Sequence, residues 1–401
     1  MNNQPLKFSD AARPELAAVK VLVGGILGMV VAMGIGRFVF TPILPLMQRD
    51  LGMSNSVAGW LAGLNYLGYL LGAVICSISP AILRSRIFTG GSLCLSITTT
   101  LFMGATLSVS WWGLMRFAGG FASAVLFILI TAEVGETLSR RGYGYWLGTL
   151  YGGVGLGIAI SGLVVPPLDL IGGWSAAWYG TGLLAATLAT AGVLLGRRRE
   201  LVKPITIDET RNRASLTSVR LLAIGYFCEG LGYIVTATFL VAIIALTPGL
   251  EHFAPYSWVA VGLAAVPTTI IWPWLGRRFG NRKALLAAYA LQAAGILVSI
   301  GAQSILAALF AAVSFGGTFL GIVALTLTEG NLRMPGDGRR AAAVLTASFG
   351  VGQVLGPICA GVLADRQDGF AVPLLLASVC VMLAGLCVLL DRRFHDRSAT
   401  D

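Results

Sequence analysis

The chain has 401 residues, of which 56% are hydrophobic and only 11% charged, with a mean hydropathy of +0.82; this excludes a soluble domain and predicts an all-α, polytopic membrane protein. A net charge of +10 would suggest nucleic acid in a soluble protein, but here the bases fall between apolar runs, where they set topology, so no nucleic-acid partner is expected. Cys76, Cys94, Cys228, Cys359, Cys380 and Cys387 lie in apolar runs without metal-ligand spacing, no phosphate-binding glycine loop is present, and the two histidines, His252 and His395, lie outside the apolar runs. Neither an enzyme nor a metal or other cofactor is expected.

Residues 1–18 carry Pro5, Lys7, Asp10, Arg13 and Glu15 and lack the short apolar core and cleavage site of a secretory signal. Twelve apolar segments follow, near 19–47, 55–78, 86–108, 111–135, 142–166, 173–195, 219–246, 255–275, 282–302, 304–328, 339–364 and 370–390. The first includes the run 21–47 and is long enough to cross the roughly 30 Å hydrocarbon layer with tilt to spare. Arg37 lies about ten residues from its outer end, too deep to reach water easily. A charge there is costly unless it lines a wet cavity or meets a partner, so Arg37 is a candidate substrate ligand. The alternative is a structural arginine tied to carbonyls freed by Pro42 and Pro45.

Further groups stand at membrane depth: Asn65, Tyr66 and Tyr69 in the second segment, Tyr151 in the fifth, Tyr226 and Tyr233 in the seventh, Trp272 in the eighth and Gln353 in the eleventh. Most are expected to serve packing or interhelical hydrogen bonds worth on the order of 1 kcal/mol, and a minority to line a cavity. Arg116 opens the fourth segment after Trp111 and Trp112, and reads equally as an outer-leaflet arginine or a cavity ligand. Glu229, about ten residues into the seventh segment, is the best proton-coupling candidate, because an ionised carboxylate near mid-membrane is costly; a permanently paired acid is the alternative. Glu133 and Glu329 end the fourth and tenth segments beside Arg140 and Arg141 and beside Arg339 and Arg340, and read either as gating pairs or as ordinary helix-end pairs.

The one long polar interval, 196–218, divides the chain into six and six: a bundle over 19–195, a linker over 196–218, a second bundle over 219–390 and a tail over 391–401. Of 28 Lys and Arg residues, 24 fall on the side of the tails and linker, only Arg49 and Arg366 on the other, and Arg37 and Arg116 within segments. The positive-inside rule then puts both termini and the linker in the cytoplasm. The halves also repeat. Gly34-Ile35-Gly36 matches Gly230-Leu231-Gly232 at an offset of 196, Gly120 with Glu133 matches Gly316 with Glu329 at the same offset, and Gly153-Val154-Gly155 matches Gly350-Val351-Gly352 at 197. Paired six-helix halves with a site at their interface are a plan of many secondary transporters.

Several stretches carry a resemblance to the major facilitator superfamily: Gly352 to Asp365 resembles its Gly-Pro helix, Arg116 to Gly120 its Arg-x-x-x-Gly motif, and Leu275 to Leu286 its cytoplasmic loop motif. In that loop Arg277 stands where an Asp is usual and Asn281 where an Arg is, and the fifth segment lacks the antiporter motif's proline. More narrowly, MGIGRFVFTPILPLM, GWLAGLNYLGYLLGA and YFCEGLGYIVTATFL resemble the YbfB/YjiJ branch. The resemblance implies two pseudo-symmetric bundles and secondary transport. The resulting expectation is a monomeric, multi-pass inner-membrane carrier of a small organic anion, coupled to H⁺ and embedded in the lipid bilayer. Efflux of lipophilic compounds is one alternative, and a non-transporting sensor or scaffold with the same fold another. If the first and seventh helices face one cavity, as the resemblance implies, Arg37 and Glu229 can meet.

Overall fold

The computed structural model describes residues 13–79, 86–196 and 215–394. The outer parts of both tails, Arg84 and most of the 196–218 linker lie outside that range. Among the described residues the regular structure is helical throughout: α1 (Arg13–Met29), α2 (Phe40–Leu51), α3 (Asn55–Ile78), α4 (Arg86–Phe102), α5 (Val109–Arg140), α6 (Leu147–Gly196), α7 (Arg220–Ala245), α8 (Ala254–Ala265), α9 (Thr268–Phe279), α10 (Asn281–Ile300), α11 (Ile305–Gly316), α12 (Phe319–Arg333), α13 (Gly338–Arg366) and α14 (Ala371–Leu390).

Among the described residues these helices can be counted as the twelve crossings that the apolar segments predict, three of them each built from two helices and two of them drawn from one long helix. At 1.5 Å per residue α6 would rise about 75 Å, more than twice the hydrocarbon thickness. It leaves helical geometry at Gly172 and Gly173, the latter at φ +64°, and so supplies two crossings. The helices α8 and α9 form one crossing bent by 45° at Pro267, whose ring leaves no N–H to donate. The pair α11 and α12 makes the tenth, and α1 and α2 together make the first. The α4 crossing is the shortest, with 17 residues.

Within the first half α3 packs on α5 and α1 on α6; in the second, α7 packs on α13 and α14, and α10 on α14. Two seams join the halves, α3 against α13 and α6 against α8. Both are glycine-lined: a Cβ on Gly59 would run into the Pro357 carbonyl, and one on Gly262 into the Ala159 backbone. With no hydrophobic force between helices in lipid, such close backbone approach is what holds them. The Thr41 hydroxyl donates to the Ala237 carbonyl at 2.7 Å, across the two halves. These positions are 196 residues apart, the offset of the sequence repeat, so equivalent points of the halves touch here on the pseudo-two-fold axis. Large apolar side chains such as Leu163, Leu183, Leu306 and Leu383 stay exposed on the outside, as a lipid-facing surface requires.

Candidate substrate site

The first crossing changes character where Arg37 sits. After α1, residues Val30–Ile35 form a π-helical turn, and Gly36 and Phe38 donate their N–H groups five residues back, to Val31 and Met33. Residues 36–39 are then turns before α2 begins. Single π turns inside helices recur at functional sites, because they re-aim the side chains that follow. Here the turn packs where glycine meets glycine: a Cβ on Gly34 would overlap the Gly157 backbone of α6. Gly34 and Gly36 were legible in the sequence as a repeat motif, but the π turn was not. Its hydrogen bonds depend on the crossing with α6.

Arg37 is 4% exposed. Its guanidinium carbon lies 4.1 Å from the ring centre of Tyr69, 4.6 Å from that of Tyr66 and 5.4 Å from that of Phe38. Tyr66 and Tyr69 are three residues apart on α3 and so share one face. Stacked rings contribute cation–π attraction of up to about 2 kcal/mol when desolvated, and Tyr69 also lies within hydrogen-bonding reach of the guanidinium, yet among the described residues part of its donor edge is unused. The Nε and Nη2 atoms of Arg37 are buried without a hydrogen-bond partner. Two prolines do not supply it with carbonyls, so the structural-tether alternative has no contact behind it.

A second arginine stands close by. Arg116 donates from Nη2 to the Arg37 carbonyl at 3.4 Å, covers the Phe40 ring at 4.7 Å and keeps a buried, unpartnered Nε. It is therefore a buried residue of this region. Asn65 anchors α3 to α5 by donating to the Arg116 carbonyl at 2.8 Å. From the other half, Gln353 of α13 donates to the Tyr233 hydroxyl of α7. The Tyr233 ring is stacked with Phe349 at 5.2 Å and with Phe315 and Phe319 at 6.2 Å, and Phe38 meets Phe319 edge-on at 6.3 Å. Arg37, Tyr66, Tyr69, Arg116, Asn65, Tyr233 and Gln353 thus come together around the interface of the halves.

Other candidates are placed elsewhere. Trp272 donates to the Gly317 carbonyl at 2.6 Å and packs on Gly321, inside the second half. Tyr151 stacks on Phe127 at 5.6 Å and lies near Tyr69, at the margin of the Arg37 cluster. No ion pair joins Arg37 to Glu229 among the described residues, and Oε2 of Glu229 has no hydrogen-bond partner. The expected meeting of the two charges is corrected on this point: Glu229 sits one turn along α7 from Tyr233, with Tyr226, Tyr289 and Gln292 around it. The helix-end residues form local pairs, the second of the two alternatives open for them. Arg140 bonds Glu136 at 2.5 Å, and Arg340 lies 3.7 Å from Asp337. Glu329 accepts from Arg333 at 2.8 Å and from Asn281 at 3.1 Å, while Arg333 reaches Asp391 at 2.5 Å. In each pair the partner is within the same half, three or four residues away on the same helix or on a neighbouring one. Glu133 lies on a cleft of the first half that is otherwise mostly apolar, among Gly25, Leu93, Ile130 and Gly192. Arg339, like Arg340, belongs to the first turn of α13.

Sequence reasoning missed one contact between the halves. The Asp365 carboxylate at the end of α13 accepts from the backbone N–H groups of Asn55 at 3.0 Å and Ser56 at 2.8 Å. It thereby caps α3 together with Ser54, whose hydroxyl takes the Val57 N–H at 3.2 Å. The signal available was an Asp closing the Gly-Pro helix and a Ser-Asn pair opening another.

Two bundles of membrane-crossing helices, repeated in sequence and joined at seams, follow the plan on which many secondary transporters are built. A family profile described as "Uncharacterised MFS-type transporter YbfB" matches residues 29–389, and the chain belongs to this family of the major facilitator superfamily. Among curated proteins it is 26% identical to the putative niacin/nicotinamide transporter NiaP of Bacillus subtilis (strain 168), over 90% of this chain and 92% of NiaP. It is also 26% identical to the uncharacterised MFS-type transporter YceJ of the same organism, where the match covers 52% of this chain and only 54% of YceJ. Among solved structures it is similar to the nucleoside transporter NupG, with a TM-score of 0.69 at 14% identity over 94% of this chain and 100% of NupG. A bacterial homologue of the lysosomal transporter Spinster, in an inward-facing conformation, gives 0.72 at 15% identity over 96% and 99% of the two chains. These likenesses show the fold, and the family makes the protein a transporter and not an enzyme.

Proposed function

We propose that this protein moves a small organic anion by proton-coupled alternating access, with Arg37 as the ligand of the anion and Glu229 as the proton carrier. The observation that carries this reading is the pair of buried, unpartnered donors Nε and Nη2 on Arg37. They lie along one edge of the guanidinium, where two parallel N–H groups match the two oxygens of a carboxylate. Arg116 adds positive potential nearby, and no carboxylate of the chain neutralises Arg37 among the described residues. Tyr66, Tyr69 and Tyr233 offer rings to a flat organic body. The name of NiaP, a putative niacin/nicotinamide transporter, supports a small aromatic solute, of which niacin is a carboxylate and nicotinamide neutral at neutral pH. The distribution of Lys and Arg supports cytoplasmic termini in an inner membrane, and each chain contains both halves needed for a monomeric carrier.

A second reading, efflux of lipophilic compounds, is favoured by the run of stacked rings Tyr226, Phe349 and Tyr233, with centroids 4.3 and 5.2 Å apart. Ligand-dependent thermal stabilisation of the purified protein separates the two. Nicotinate and benzoate are expected to raise the melting temperature and nicotinamide and choline not to, and Arg37→Ala is expected to abolish the effect. A ligand at 100 times its Kd stabilises by about 2.7 kcal/mol, well within detection. Stabilisation by neutral compounds that survives Arg37→Ala would favour the efflux reading instead.

A further inference from the structure

The second half contains a buried polar group that the substrate site does not use. Glu229 on α7, Gln292 and Tyr289 on α10 and Thr326 on α12 are all buried. Tyr289 neighbours both Glu229 and Thr326, and Gln292 stands alongside Glu229. Among the described residues, Oε2 of Glu229, Nε2 and Oε1 of Gln292 and the Thr326 hydroxyl are buried without a hydrogen bond of good geometry, although Gln292 stands close enough to Glu229, and Thr326 to Tyr289, for a looser one. Each unsatisfied atom costs free energy that an apolar side chain of the same shape would not. Gln292 and Tyr289 of α10 beside the Glu229 carboxyl, with Thr326 of α12 beside Tyr289, are therefore poor packing and a suitable shell for something that comes and goes.

The group also leads somewhere. Thr326 is one turn from Glu329 on α12, and Glu329 is held by Asn281 and Arg333, with Arg333 on Asp391 beyond it. Polar groups thus extend from Glu229 to the end of the bundle at which α7 begins and α14 ends. The titratable groups facing Glu229 are Tyr226 and Tyr233 of its own helix, the latter also near Arg37, and Tyr289 of α10, with Cys228 of α7 and Cys387 of α14 next to Tyr289. The nearest full charges along this route are the Glu329, Arg333 and Asp391 cluster. No cation is paired with Glu229 among the described residues.

We propose that Glu229, Gln292, Tyr289 and Thr326 form a proton-binding pocket inside the C-terminal half, separate from the Arg37 site, which exchanges its proton toward the Glu329 end of the bundle. On loading, Oε2 of Glu229 takes a proton from hydronium, leaving water, and donates it in a hydrogen bond to Oε1 of Gln292; on release the proton passes back to water as hydronium, and no other covalent bond changes. Substrate and proton then occupy different pockets, and their linkage runs through α7, which carries both Tyr233 and Glu229. This rests on the reading of Glu229 as the proton carrier.

Infrared difference spectroscopy of the purified protein during a pH titration tests it, because a buried carboxylic acid gives its own C=O band. The wild type is expected to show a titrating band that Glu229→Gln removes. Tyr289→Phe, Thr326→Val and Gln292→Leu should each shift its frequency and change proton affinity about tenfold, while Arg37→Ala should leave it unchanged. The first two variants are nearly isosteric, and an unaltered melting temperature confirms that they fold. A band removed by Glu229→Gln but indifferent to the three neighbours would overturn the pocket and leave Glu229 as the carrier. No band, or one unaffected by Glu229→Gln, would overturn that reading itself. Displacement of the band by Na⁺ at fixed pH, or its loss in Arg37→Ala, would overturn the proton assignment or the separation of the sites respectively.

Discussion

At Arg37 the distinction between charge and geometry decides the chemistry. A lysine in its place would restore the charge but present a point donor instead of a planar edge, and it would stack less well between Tyr66 and Tyr69. Arg37→Lys is therefore expected to lose most of the carboxylate affinity, by at least tenfold in Kd from ligand titrations, while Arg37→Ala loses it altogether. Rescue by lysine to within a factor of two would mean that only the field at this position matters. The depth of Arg37 was legible in the sequence, because buried charge in a membrane segment is rare, whereas Tyr66 and Tyr69 stood out only as groups at membrane depth and not as the rings that pack on it. Its relation to Glu229 was not. A repeat register gives the level of a residue along the bundle axis but not the direction in which its side chain leaves the helix, and here Glu229 turns to α10 while Arg37 turns to α3.

Among the elements, helix ends were the hardest part to read. Glu329 and Arg339 look equally available to each other in sequence, but an α-helix brings together residues four apart, and Glu329 takes Arg333 of its own last turn. The side chains of Arg333, Glu329 and Asp391 are 5 to 8% exposed, so this cluster ties α12 to the end of α14 in a place that water does not easily reach. Removing one member of such a pair leaves the others buried and uncompensated, at a cost of about 3–5 kcal/mol. Arg333→Gln is accordingly expected to lower the melting temperature of the detergent-solubilised protein clearly, whereas Arg339→Gln, outside the cluster, should stay within about 0.5 kcal/mol of wild type. Equal effects would remove the distinction drawn here. The break of the first helix was likewise hidden from the sequence. Pro42 and Pro45 draw attention to α2, yet the irregular turn lies before them, where Gly34 crosses Gly157.

For the whole molecule, the count of crossings and the two-fold repeat were readable because hydropathy and charge asymmetry are summed over hundreds of residues; the seams depend on which glycines face each other, and that emerges only in three dimensions. Alternating access requires one end of the seams to part while the other holds. In this structure the end of the α3 and α13 seam away from the tails is held by Asp365, whose carboxylate takes two of the first N–H groups of α3 across the interface. Those donors have no partner within their own helix, and the carboxylate also meets the positive end of its dipole. Removing such a cap costs roughly 1 kcal/mol, rising to about 2 in favourable geometry. Because the bond joins the halves, that cost falls on the closed arrangement of this end and not on either half alone. A change of 1.4 kcal/mol is a tenfold change in population. Asp365→Ala is thus expected to shift inter-bundle distances, measured by pulsed electron resonance between spin labels at Met53 and Gln367, toward longer values, with the fold intact. Asp365→Asn, which keeps an acceptor oxygen but loses the charge, should fall between wild type and alanine. Identical distance distributions in all three would reduce the contact to local capping of α3, and the seam would then owe its closure to glycine packing alone.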